Sequence, residues 1–193
     1  MRKCVVCVLM TTLLLAGCGP AGVSQAEELA LEIRVELLEM DSCTARLEIT
    51  ADYGQRVYQY EMAAAVTGED TALTLSAPET VAGFTARLSG EGSALEFDGL
   101  AVDTGPLDGA GLTPVSAFPA LLEAARTGYI LSCGLEEDTG LLRVDCGDPE
   151  GEPGAGTRTA LWFDAGTRAL TRGEITVDGL RVILCEVLEF TPG

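Results

Sequence analysis

Through most of this chain apolar and polar residues alternate with a period of two, and turn formers cut the alternation at short intervals. Successive strand side chains point to opposite faces, so this pattern settles as strands with one buried and one wet face. Strands are expected near residues 45–49, 57–66, 72–76, 84–88 and 94–97, then at 129–135, 141–146, 157–163, 169–177 and 180–190. Between them lie Asp52-Tyr53-Gly54, Gly68-Glu69-Asp70, Ser89-Gly90-Glu91-Gly92, Asp98-Gly99 and Asp178-Gly179, the last a strong two-residue hairpin signal. Regular spacing of this kind argues for an antiparallel meander. Leu31, Ile33, Val35 and Leu37 alternate with Glu32, Arg34 and Glu36, so a strand is expected there too, although residues 29–40 also hold good helix formers.

One segment breaks the pattern. Thr113 can cap a helix with Pro114 at its first position, and Gly128 supplies a stop. Val115, Phe118, Leu121, Leu122 and Ala125 then form one apolar stripe on a helix over 114–127, and Pro119 predicts a kink or two short pieces. A single amphipathic helix beside a one-faced meander must lie on that face. A sheet that curls without closing leaves an apolar cavity under the helix, and these five residues are the candidates to line it. Only 5% of residues are aromatic, so the lining would be aliphatic and would suit acyl chains better than flat ligands.

The N-terminus carries a different signal. Arg2 and Lys3 precede a short apolar run that closes at Leu15-Ala16-Gly17-Cys18. The run is too short to span a bilayer, and its end resembles the lipobox of bacterial lipoproteins. That resemblance implies removal of residues 1–17, acylation of Cys18, and a mature chain held on the extracytoplasmic side of the membrane by its lipid. Residues 18–26 then serve as the lipidated cysteine and tether, and 27–193 as one β domain. The chain's formal charge is −18; Arg2 and Lys3 leave with the signal, so the mature part is nearer −20 and has no lysine. Such a surface repels phosphate backbones and anionic headgroups, which argues against nucleic-acid binding and leaves attachment to the acyl anchor.

Four cysteines remain in the domain: Cys43, Cys133, Cys146 and Cys185. Four allow three pairings. A hairpin centred between Thr139 and Gly140 would set Cys133 opposite Cys146, and Cys43 would then pair with Cys185; otherwise all four act as small buried hydrophobes. Chemistry is sparse. With no histidine and no lysine after the signal, Ser-His, Cys-His and Ser-Lys arrangements are excluded, and no close cysteine pair survives to hold a metal. Paired carboxylates such as Asp145 with Asp148, or Glu136 with Glu137, fall in or beside turns, as expected by chance among 30 acidic residues. No catalytic residue, metal or cofactor is assigned, and the chain reads as a non-enzyme.

The order of elements is similar to that of the LolA/LolB-like lipoprotein carriers, and among them to the lipid-anchored, GerS-type germination lipoproteins of spore-forming bacteria. The likeness rests on residues 77–84 (Ala-Pro-Glu-Thr-Val-Ala-Gly-Phe), 95–100 (Leu-Glu-Phe-Asp-Gly-Leu), 112–115, 121–124 and 173–179 (Gly-Glu-Ile-Thr-Val-Asp-Gly). It implies a mainly β fold, an incomplete, half-open antiparallel β-barrel with a helical lid over a cavity that accepts lipid or an acylated ligand. A GerS-type reading instead makes the domain a scaffold for a cell-wall-processing amidase in spore cortex formation and germination. A homodimer is compatible with either.

Overall fold

The computed structural model describes residues 24–90, 92–105, 109–152 and 154–193. The signal segment, Cys18 and the tether to residue 23 lie outside them. Within the described residues the strands are β1 (Ser42–Asp52), β2 (Val57–Thr67), β3 (Asp70–Ala77), β4 (Thr85–Ser89), β5 (Gly92–Phe97), β6 (Leu100–Asp103), β7 (Ile130–Leu135), β8 (Leu141–Cys146), β9 (Thr157–Asp164), β10 (Leu170–Val177) and β11 (Leu180–Pro192). They form one antiparallel sheet in the order β6-β5-β4-β3-β2-β1-β11-β10-β9-β8-β7. Two meanders therefore meet at the central β1–β11 pair, where Ile49 lies opposite Cys185. β6 and β7 are the free edges.

Alternation along β1 buries Cys43, Ala45, Leu47, Ile49 and Ala51 on one face, and the same face of β2 buries their partners Met62, Ala64 and Val66. Two-residue turns with both central residues at positive φ, Asp98-Gly99 and Asp178-Gly179, close the β5–β6 and β10–β11 hairpins. Strand β6 was not anticipated from the sequence. Its four residues are all exposed, and so short a run carries little periodicity.

The first element is a helix, not a strand. α1 spans Gln25–Glu39, with Ser24 and Glu27 forming a capping box at its start. Ala26, Ala30, Ile33 and Leu37 are buried, a helical spacing, whereas Leu31 and Val35 of the alternating set are exposed. Alternation alone fitted both periods. The cap and the two alanines decide for the helix.

α2 (Pro114–Thr127) has the expected bounds, with Thr113 and Ser116 in a capping box, and it runs as one helix through Pro119. It joins edge strand β6 to edge strand β7, so it must cross the concave face of the sheet. There it packs on β1, β9, β10 and β11, while α1 packs on β7, β8 and α2. The two helices cap each other. Arg34 of α1 donates to the carbonyls of Ala125 and Gly128 at 3.1 and 2.7 Å, and Arg126 of α2 donates to those of Leu37 and Met40 at 2.9 and 3.4 Å. Each arginine supplies donors and positive charge to carbonyls at the other helix's C-terminal end.

Candidate functional site

The five helix residues expected to line a cavity mostly fill the core instead. Phe118 and Leu121 are fully buried, Leu122 and Ala125 nearly so, and Val115 packs against the same cluster. Glycine makes this fit possible. A Cβ on Gly173 of β10 would stand 2.5 and 2.7 Å from the two Leu121 methyls, and one on Gly111 would stand 2.5 Å from Cβ of Ala120. The helix and sheet are flush here, with no room for a ligand.

Space opens to one side. Between α2 and the concave face of β2–β4 lies a cleft of about 340 Å³, with Val66, Leu88, Pro119, Ala120 and Leu122 among its walls. Of the sequence-predicted set only Leu122 reaches it. Glu69 and Glu123 give its rim an acidic character, and Arg126, also at the rim, is held by the α1 carbonyls. The helices make most of their contacts with the β7–β11 half and β1; Met62, Leu73 and Ala86 of the β2–β6 wing are buried all the same, and its inner face opens at this cleft beside Leu88. The sequence carried no sign of this asymmetry, because both halves of the sheet alternate alike.

The four cysteines are free thiols. The β7–β8 hairpin centres one residue earlier than expected, setting Cys133 opposite Val144, while a bulge brings Cys146 opposite Ile130. Cys133 and Cys146 are therefore diagonal neighbours, a relation of about 7–8 Å between Cα atoms and beyond ordinary disulfide reach. Cys43 pairs with Pro192 and Cys185 with Ile49, six residues apart along β1, so the expected Cys43 to Cys185 bridge is not formed either. Burial pushes all four thiols up, Cys185 to about 12, although Arg126 and Arg34 act in the opposite direction on Cys43 and Cys146.

Three of the four carboxylates considered for catalysis, Glu136, Asp145 and Asp148, have structural partners. Arg143 and Arg172 cover the two faces of Trp162, with guanidinium carbons 5.0 and 4.8 Å from the ring centroid. The indole Nε1 donates to Glu136 Oε1 at 2.7 Å, and this bond, with a second from Thr139, holds the Glu136 carboxyl below its ordinary value. Asp145 pairs with Arg143 at 2.8 Å, and Asp148 caps the Glu150 amide. Among the described residues no group of three or more metal-ligating side chains comes together, and no helix is long and apolar enough to cross a membrane.

No family profile and no curated protein matches this sequence. Solved structures do share its architecture. An uncharacterized conserved protein from Thermus thermophilus aligns with a TM-score of 0.51 at 8% identity, over 88% of each chain. A putative outer membrane lipoprotein-sorting protein domain from Vibrio parahaemolyticus aligns at 0.46 and 12% identity, covering 87% of this chain and 93% of that one. A LolA superfamily protein from Nitrosomonas europaea aligns at 0.43 and 9%, covering 88% and 94%. At these identities the likeness is one of fold. The chain has a mostly β, open-sheet fold whose structural neighbours include LolA-like proteins.

Proposed function

We propose that this chain is a membrane-anchored bacterial lipoprotein, acylated at Cys18, whose β domain binds a lipid or acylated ligand without catalysis. The observation that carries this reading is the apolar cleft between α2 and the β2–β4 wing, about 340 Å³. That volume lies at the lower end of the ~300–1,000 Å³ range of small-molecule sites. It suits one acyl chain, whose burial contributes ~0.8 kcal/mol per methylene. Glu69 and Glu123 at the rim favour a neutral or cationic headgroup over an anionic one. Full-length protein in phosphatidylcholine vesicles, given a monoacylglycerol with a diazirine in its acyl chain and irradiated, should be labelled on β4 and α2. Leu88→Glu places a charge in the cleft and should abolish that labelling while the cooperative thermal transition is retained at a somewhat lower Tm, since Leu88 is half-buried against the core. Labelling elsewhere, or labelling indifferent to Leu88→Glu, refutes the reading.

The second reading is a GerS-type scaffold that binds a cell-wall-processing protein. The filled core beneath α2 favours it, since a scaffold needs no internal cavity. It predicts no site-specific acyl-chain labelling in the same experiment.

A further inference from the structure

The two free edges of the sheet are treated differently. β7 is shielded: α1 packs against it, and a bulge interrupts its pairing between Ile130 and Ser132. Among the described residues β6 has neither protection. Its four residues pair with β5 in unbroken register, and the strand contains no proline, no lysine and no charge before Asp103. Leu100 and Val102 are 75% and 63% exposed, and Phe97 and Leu95, opposite them, 45% and 37%. These four side chains share the concave face, so an unpaired backbone edge borders a contiguous apolar patch. Stacking of Phe97 on Phe84, with centroids 4.3 Å apart, fixes the patch to the rest of the wing.

Backbone direction follows from the turn. A two-residue loop makes Phe97 and Leu100 a hydrogen-bonded pair, and the Thr104 amide bonds the Ser93 carbonyl at 2.8 Å further along. The N–H and C=O groups of Ala101 and Asp103 therefore point away from β5. The hairpin and its flanks, residues 92–105, carry Glu96, Asp98 and Asp103 and no basic residue, within a chain of net charge −18. A second copy on this edge would bring like charges together.

We propose that β6 is a docking edge for an extended protein segment that alternates apolar and basic residues. The outward groups of Ala101 and Asp103 would pair with its backbone, its apolar side chains would cover Leu100 and Val102, and its basic ones would meet Asp98 and Asp103. This rests on the scaffold reading and specifies the partner's chemistry.

The test uses full-length protein in phosphatidylcholine vesicles and a fluorescent seven-residue peptide alternating valine with arginine, followed by anisotropy with empty vesicles as control. Binding should weaken at least tenfold when glutamate replaces arginine in the peptide. Ala101→Pro removes one outward N–H at an edge position that tolerates proline, and should cost at least tenfold while β5–β6 pairing is retained; Leu100→Lys should do the same. Failure of the wild type to bind, or equal binding of the acidic peptide, overturns the proposal. Binding unchanged by Ala101→Pro but lost in Leu88→Glu also overturns it, and leaves the scaffold reading standing with contact at the cleft. Concentration-dependent dimerisation that Ala101→Pro abolishes and the peptide does not displace assigns the edge to a second copy and overturns it as well.

Discussion

Whether α2 is a lid that stands off the sheet or a wedge driven into it can be decided at Gly173. Its backbone lies in an ordinary strand between Arg172 and Glu174 and outside the left-handed region, so alanine is conformationally allowed there. In a strand interior that change alone would stabilise by ~0.5–1 kcal/mol, because glycine loses more freedom on folding. The new methyl, however, would stand 2.5 to 2.7 Å from two carbons of Leu121, a side chain with no exposure and nowhere to swing. Overpacking of this kind costs ~1–3 kcal/mol. At mid-range the balance is a net loss of roughly 1 kcal/mol, which for a domain of this size lowers Tm by roughly 2–4 °C. Thermal unfolding of full-length protein followed by circular dichroism reads it directly. The companion Leu121→Ala should cost ~2–5 kcal/mol alone through its cavity. Combined with Gly173→Ala it should cost less than the sum, because the added methyl enters the vacated space. A Gly173→Ala protein as stable as wild type, or more so, would mean that α2 does not press on β10, and the filled core beneath it would be refuted.

Three further outcomes follow from contacts on the same scaffold. Replacing Arg34 by methionine strips donors from Ala125 and Gly128 and should destabilise by ~1–3 kcal/mol; Arg126→Met should do likewise, with the double variant less than additive in denaturant melts if the helices cap each other as a unit. The Glu136 carboxyl, ordinarily at 4.5, is lowered in the fold, so its support for Trp162 persists above that value and is lost as pH falls through the lower folded one. Fluorescence of Trp162, the single tryptophan, should therefore change below about pH 4.5, and Glu136→Gln should remove that step. Under non-reducing conditions iodoacetamide should leave Cys43, Cys146 and Cys185 unmodified in the folded protein and reach half-buried Cys133 first, read by peptide mass mapping; a linked Cys133 and Cys146 peptide would contradict the β7–β8 register.

Much of the sheet was legible because alternation and turn chemistry agree in it. Residues 141–146 and 114–127 have the bounds read from sequence, and the Asp178-Gly179 hairpin forms where its two residues demand positive φ. Where the reading failed, two physical descriptions fitted one string of letters. Residues 31–37 alternate, yet Ser24 and Glu27 fix a helix start, and Ala26 and Ala30 extend a stripe that alternation ignores. The hairpin at residues 136–140 was misplaced by one residue, which moves the partner of Cys133 by two and separates it from Cys146.

The site was less legible than the fold, for a reason that lies in the connection between the two meanders. Composition cannot say which half of a curled sheet a crossing helix will cover, and here the choice rests on particular side chains. Gly173 admits Leu121 into the β10 surface, and Arg34 and Arg126 tie α2 to α1, which itself lies over β7 and β8. Both devices draw α2 toward the C-terminal half. Less of the N-terminal wing then lies beneath a helix: Leu73 and Ala86 stay buried, but the cleft beside Leu88 and the exposed edge at Leu100 and Val102 lie at the margin of that cover. A chain whose equivalent of Gly173 carried a larger side chain would be driven to seat its helix nearer the middle of the sheet, narrowing the cleft and covering more of the wing. The width of the cleft is in this sense set by a glycine on the opposite half of the molecule.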